Sequence, residues 1–577
     1  LPVFWWLRFS TPPPNSVGTG QFYPQTGCCG VSSSAELKEG LRAMSDRPRV
    51  LLIGLDGFSP DLTAQWVEQG HLPHLAMLQE QGYLGALRGV TPPVTYPAWT
   101  TCVTGVNPGR HGITDFTISL PGNYGIRFLN STDRQVPALW NILSSLGKRV
   151  CILGVPATYP PEAVNGIMLS GFDSPVADRL DPSYVYPPEL FSQFSQWPFS
   201  LFQEHRISSR WYEEALALLE KKIAVQEEIG CRLLQQEAWD LFMIVLNEAD
   251  TVSHHFWQLE DTASPRHDPE ITAPDSPILR IYRRLDEAVG RFIDAFDDPG
   301  LVLVVSDHGF GGAGVQALHI NNYLEACGWL SYKKASQGIL KKAALRWVPM
   351  RLRGTLFRRF QRLVESLESR ARRGGIQWDK TRAWSDELDY CPAIRLNVAG
   401  REGKGIIPPE QYASSVAELC ALLEKLPGVA RAVPRDTVYK GAFADRAADI
   451  FLELDWSTGY RASVIRKRGG AAVEVLQPEA YKGGKEQGCA GVHRNPAFLA
   501  SSRPLTRKNP AMEDIAPAVL SWLGITYEGM EGKSFLESQV QEETVCSADW
   551  IKASEKKYTE EEESLLEKRM KALGYFE

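Results

Sequence analysis

Three aspartates and the histidines beside them are the residues best equipped for chemistry. Asp56, Asp250 and the pair Asp307-His308 each stand just past an apolar run of the buried-strand type. In an open parallel sheet such strand ends lie along one edge, where ligands bind in the crevice. Carboxylates gathered there repel one another unless a cation sits between them. Taken singly, each Asp reads as a helix cap or turn residue, positions that Asp favours; the recurrence, together with the histidines, is what points to a site. Asp250-Thr-Val-Ser-His254 sets a carboxylate and an imidazole four residues apart, on one face if a helical turn follows the strand. His255 would point about 100° away. A mixed oxygen and nitrogen donor set suits zinc, manganese or iron better than calcium.

A hydroxyl comes from Thr91-Pro-Pro-Val-Thr95-Tyr-Pro97. Pro97 fits the first turn of a helix, where its missing N–H would be unpaired anyway. Thr95 then lies at or just before the helix N-terminus, where free amides and the dipole favour an anion. Beside a metal, a hydroxyl there could lose its proton and attack phosphorus; the local sequence by itself favours a plain N-cap threonine. His71, His74, His205, His267 and His319 read as ordinary surface or core residues.

The elements that must position these groups alternate. Val50–Leu55, Val150–Gly154, Leu241–Leu246 and Leu301–Val305 are short apolar runs of the parallel-strand type. Residues 60–84, 211–236 and 278–295 carry helical patterning, so the spacing predicts βαβ units and a mainly parallel sheet. A second α/β-like stretch has strands at 394–398 and 449–454 around a helix at 409–426. Helices are expected at 512–523 and from Ser554 onward, the latter strongly charged.

At 577 residues the chain exceeds one simple core. With 62 basic against 69 acidic residues it carries no global attraction to nucleic acid. No run approaches the roughly 18 apolar residues that span a bilayer. The ten cysteines form no CxxC pair, which suits a reducing, cytoplasmic setting with buried thiols. The organisation expected is an N-terminal extension outside the fold (1–44), a metal-binding core (45–330), a basic helical insertion and cap (331–445), a segment completing the core (446–540) and a charged terminal helix (541–577). Between Lys333 and Arg373 thirteen Lys/Arg face two Glu. That stretch reads as a solvated helical insertion, an anionic-membrane contact of a peripheral protein, or a lid bringing positive charge to a phosphorylated substrate.

The motifs occur in one order: Leu55-Asp56-Gly57-Phe58, Thr95-Tyr-Pro, Thr104-Gly105 through Pro108-Gly-Arg-His111-Gly112, Asp250-x3-His254, Ser306-Asp307-His308-Gly309 and Gly491-Val-His493. In this order they resemble the alkaline phosphatase superfamily, in particular its type I phosphodiesterase/nucleotide pyrophosphatase branch and related phosphohydrolases and phosphomutases. The resemblance covers residues 48–330 well and 445–540 moderately. It implies an alkaline-phosphatase-like α/β fold, a mainly parallel sheet with helices on both faces and an inserted helical or α+β cap. It also implies two divalent ions, zinc or manganese: one held by Asp250, His254 and His493, the other by Asp56, Asp307 and His308, with Thr95 as the nucleophile bridging toward both. His493 is a ligand through the resemblance alone.

The implied activity is hydrolysis of phosphate mono- or diesters of small molecules through a phosphothreonine, without nucleic-acid readout. A phosphomutase of the same superfamily, or a binding protein that keeps the metals without catalysis, are the alternatives. Ala98 stands where nucleotide pyrophosphatases carry an Asn, which implies a different set of contacts to the phosphoryl oxygens. The segment lacks the Cys or Ser and the Arg that a sulfatase requires.

Overall fold

The computed structural model describes residues 48–120, 122–175, 181–198, 209–269, 276–297, 300–333, 373, 375–478, 489–538, 543–546, 550 and 557–573. The extension expected at 1–44, His205 and nearly all of the basic stretch 333–373, with its membrane reading, lie outside the described residues. Among the described residues no helix is long and apolar enough to cross a membrane.

The apolar runs become strands of an eight-stranded sheet, in the order 83–87, 497–501, 301–305, 50–55, 241–246, 150–155, 166–170, 185–186. The five strands from 301–305 to 166–170 run parallel; 497–501 and 185–186 are antiparallel to their neighbours. Side chains of a strand alternate between faces, and Val50–Leu55 is buried along its whole length. Val50 and Leu52 therefore join one core, with helices Thr95–Thr104, Leu139–Ser145 and Ile515–Trp522. Leu51, Ile53 and Leu55 join the other, with Ser209–Gln236, Glu248–Glu260 and Pro277–Phe296. Each fully buried Leu, Ile or Val contributes roughly 1.5–3 kcal/mol, which makes these two layers the rigid base of the molecule.

One expected element divides. The patterning over 60–84 predicts a single helix; the chain forms Pro60–Glu68, Pro73–Gln81 and then strand Tyr83–Leu87. Gly70 sits between the helices at φ 77°, a left-handed conformation in which a side chain is strained. Pro73, which has no N–H to give an earlier carbonyl, can only begin a new helix. Apolar spacing alone did not report that break.

Strand Gly309–Leu318 leaves the sheet edge directly after Asp307-His308. Its first half pairs with Gly491–Arg494, setting Phe310 opposite His493, and its second half pairs with Tyr460–Val464 and Val473–Val475. A smaller sheet follows, ordered 383–384, 393–396, 450–454, 429–434, covered by helix Tyr412–Leu423 over its own apolar core. At its heart Asp449 is fully buried. It accepts from the Arg401 guanidinium at 2.7 Å, from Arg435 at 3.1 Å, from the Tyr412 hydroxyl at 2.9 Å and from the Leu396 N–H at 2.7 Å. Burial alone would raise its pKa, but the bonds and charge of Arg401 outweigh this and hold the carboxyl below the usual range.

Removing one partner of a buried charge cluster strands the others, so Asp449→Ala should cost roughly 3–5 kcal/mol, read as a lower denaturation midpoint. A depressed folded-state pKa stabilises above the ordinary carboxylate range and loses that effect as pH falls through it. The gap between wild type and variant should therefore narrow on acidification, and a gap that widens in acid would contradict this role.

Candidate active site

The ends of three adjacent strands, 301–305, 50–55 and 241–246, carry the aspartates. Asp56 follows Leu55 directly, Asp307 lies two residues beyond Val305, and Asp250 sits in the first turn of helix Glu248–Glu260. Gly57 makes the approach possible. It has φ 69°, and a Cβ there would lie 2.8 Å from the Asp250 Cα. Its N–H donates to Asp307 Oδ1 at 3.0 Å. Asp56 Oδ2 accepts from the Trp99 indole N–H at 2.8 Å, while Asp56 Oδ1 is buried without a hydrogen-bond partner in the protein.

The histidines meet these carboxylates through one ring nitrogen each. Nδ1 of His254 is 2.9 Å from the Gly491 carbonyl, Nδ1 of His493 is 2.9 Å from that of Pro93, and Nδ1 of His308 is 3.2 Å from that of Gly309. In the neutral ring an Nδ1–H donating to a carbonyl leaves Nε2 as a lone-pair donor, the arrangement typical of metal-bound histidine. Those Nε2 atoms converge. His254 and His493 lie 3.4 and 3.3 Å from Asp250 Oδ1, and His308 lies 3.2 Å from Asp307 Oδ2. Gly491 earns its place in this contact, since a Cβ would fall 2.1 Å from the Ser253 carbonyl oxygen.

Among the described residues, two sets of side chains are spaced to hold a metal ion: Asp250, His308 and His493, and Asp56, Asp307 and His308. His254 adjoins the first, with its Nε2 3.0 Å from that of His493. His308 belongs to both sets, a sharing that sequence spacing does not reveal. Thr95 begins helix Thr95–Thr104, and its Oγ1 lies 3.5 Å from His308 Nε2. All seven side chains the sequence singled out are thus together and buried, from 0% exposure at Asp56, Thr95 and Asp307 to 5% at His493. His255, one residue along the helix, instead turns its ring toward Trp211. His71, His267 and His319 bond elsewhere, to Arg283, the Gln258 carbonyl and the Ile465 carbonyl.

Electrostatics mark the same place. Burial, then Asp307 and Asp250, push the Asp56 carboxyl well above its ordinary range. Burial does the same to Asp307, with Asp250 adding to it. Asp250 alone is offset: burial would raise it, but His254 and His493 hold it low. In return His254 is pushed up to about 10, Asp250 overcoming its burial. Burial and the neighbouring His493 lower His308, and burial lowers His493. The protein's own groups therefore compensate one carboxylate of three. An unpartnered buried oxygen, mixed oxygen and nitrogen donors and uncompensated negative charge all fit divalent cations.

Several supporting residues were not legible in the sequence. Trp99, four residues into the Thr95 helix, orients Asp56. His111 is buried beside that helix, its Nε2 3.0 Å from Thr101 Oγ1; burial, then Arg134, pulls it down to about 3, so it stays neutral. The Tyr96 phenol interacts with buried Asp173, whose Oδ2 accepts from the Ala157 N–H at 3.0 Å. Arg569, from the terminal helix Glu560–Leu573, is buried and acts electrostatically on Asp173. The aromatic character of Trp99 next to a motif is equally the mark of a packed core, His111 stood in a quoted motif without a role, and nothing marked Asp173 or Arg569.

Fold and site together define an alkaline-phosphatase-like protein. Residues 50–465 match the model of the type I phosphodiesterase / nucleotide pyrophosphatase family, and the chain belongs to that family of phosphoric ester hydrolases. It is 23% identical over 286 residues to human ectonucleotide pyrophosphatase/phosphodiesterase family member 1, covering 48% of this chain and 25% of that protein. It is 31% identical over 120 residues to rat family member 3, covering 20% and 13%. The chain thus spans a quarter or less of the length of these relatives. Phosphonoacetate hydrolase from Sinorhizobium meliloti 1021, solved with phosphonoformate, shares the fold at a TM-score of 0.51 and 15% identity, over 81% of this chain and 94% of that one.

Burial raises the Asp56 and Asp307 carboxyls and Asp250 raises His254, so cations entering this site compete with protons there. Zinc titration of the metal-stripped protein should release protons near neutral pH, with affinity rising as pH rises. Calorimetry in buffers of different ionisation enthalpy measures this; identical heats in all buffers would contradict the charge balance described.

Proposed function

We propose that this chain is a metal-dependent hydrolase of phosphate esters in which Thr95 is the nucleophile. One cation would be held by Asp250, His254 and His493 and the other by Asp56, Asp307 and His308, with zinc or manganese suited to these donors. Bound there, the cations would draw charge from the phosphoryl oxygens and ease deprotonation of the hydroxyl.

The chain's residues supply the rest. Thr95 stands at the positive end of its helix, where an anionic phosphoryl group is favoured. Its Oγ1 forms a bond to phosphorus as the bond to the substrate's alcohol breaks, giving phosphothreonine and the free alcohol. Water then attacks phosphorus from the opposite side, phosphate departs and Thr95 regains its proton. The His254, His308 and His493 bonds to backbone carbonyls keep the donor atoms oriented through both steps, and Trp99 does so for Asp56. The substrate is a phosphorylated small molecule, and the buried thiols of Cys102, Cys151 and Cys391 support a reducing, cytoplasmic setting.

The observation that carries this reading is the convergence of three Nε2 donors, each fixed from behind by a carbonyl, on three buried carboxylates beside one threonine hydroxyl. Thr95→Ala should lower turnover of p-nitrophenyl phosphate and its diester by at least about a thousandfold, with metal content and melting temperature preserved. Thr95→Ser should retain measurable turnover. Robust activity in Thr95→Ala would refute the assignment. Phosphothreonine at residue 95 without release of free phosphate would identify a mutase, and metal binding with no turnover of either ester a binding protein.

A further inference from the structure

A large cleft lies against the His493 side of the site. Its volume is about 1020 Å³, at the upper end of the range for small-molecule pockets of roughly 300–1,000 Å³, far more than a phosphoryl group fills. His493 belongs to both spaces: its ring is in the metal-spaced cluster and its edge lines the cleft. Its Nδ1 partner, the Pro93 carbonyl, is on the cleft wall as well, two residues before Thr95.

The lining states what the cleft would hold. Pro92, Pro93, Pro392, Phe451, Leu452 and Leu454 make its walls apolar. The charged groups around it are mostly compensated: Asp389 by Arg461 at 2.9 Å, Glu453 by Arg431 at 2.7 Å and Arg88 by Glu513 at 2.5 Å. Asp455 is bonded to the Ser457 hydroxyl at 2.7 Å. Arg494, the residue after His493, is different. It is exposed, no described carboxylate pairs with it, and its guanidinium lies 4.9 Å from the centre of the Trp456 ring. Trp456 is itself held against Gly311, where a Cβ would come within 2.5 Å of the indole.

Building on the phosphohydrolase reading, we infer that this cleft receives the alcohol portion of the substrate, and that this alcohol is bulky and predominantly apolar, an aryl or long alkyl group. Trp456 forms the aromatic side of the slot. Arg494, its guanidinium over that ring, supplies positive charge on the cleft wall. Compact polar sugar phosphates would leave the apolar walls wet and gain little from them, since burial of apolar area is what the cleft offers.

The test compares methyl phosphate with 2-naphthyl phosphate, and the corresponding methyl diesters, on the metal-loaded full chain. Wild type should favour the naphthyl ester of the preferred class by at least about tenfold in kcat/KM after correction for leaving-group reactivity with the free esters in solution. Trp456→Ala, and Ser457→Trp at the exposed rim to narrow the slot, should each lower kcat/KM for the naphthyl ester about tenfold, mainly through KM, and lower the naphthyl-to-methyl ratio several-fold. Wild-type turnover with a naphthyl-to-methyl ratio that neither variant changes would overturn the cleft assignment and leave the phosphohydrolase reading standing. No turnover of any of the four esters by the metal-loaded wild type would overturn both.

Discussion

Three carboxylates buried at one sheet edge cannot all keep their charge unaided. That conflict organises the molecule. Asp56, Asp250 and Asp307 are brought together by three neighbouring strands whose apolar runs leave no freedom of position, and the histidines around them offset only Asp250. In a medium of low polarity the remaining charge must be taken up by protons or by cations. The donor atoms are spaced as a cation would require. Each of the three imidazoles turns its Nδ1 to a backbone carbonyl and its Nε2 to the carboxylates, an orientation that would serve little purpose in a merely structural cluster.

The rest of the fold is arranged around holding that cluster still while leaving one side accessible. Trp99 ties Asp56 to the helix that carries Thr95, the proposed nucleophile, so hydroxyl and carboxylate are held by one element. Strand Gly309–Leu318 ties Asp307 and His308 to His493 through antiparallel pairing and continues into the strands beside the smaller sheet. The smaller sheet has its own core and its own buried charge node at Asp449, so it forms a firm opposing wall to the cleft at His493. Rigid groups on both sides of a slot are what substrate positioning requires.

Much of this was legible in the residues. The apolar runs at 50–55, 241–246 and 301–305 specify buried strands because both faces of a parallel strand are covered, and the recurrence of Asp just past such runs, with histidines beside it, pointed to the binding edge. The four-residue interval from Asp250 to His254 is a helical interval and behaves as one. What escaped had no periodic signature. The break at Gly70 and Pro73 kept the apolar spacing of one helix. Trp99, Asp173 and Arg569 act on the site's framework across long sequence separations, and a buried side chain announces nothing about its partner.

The sequence by itself determined which residues could do chemistry, which strands would be buried and in what order the motifs come, because side-chain type and periodicity are local properties. Only the tertiary structure decided that His308 stands between both sets of carboxylates, that Gly57 and Gly491 permit the backbone to close around them, and that His493 faces a cleft on its outer side. Those are matters of distance between segments hundreds of residues apart. They follow from how two packed layers and a pleated edge fit together, and no single stretch of chain contains them.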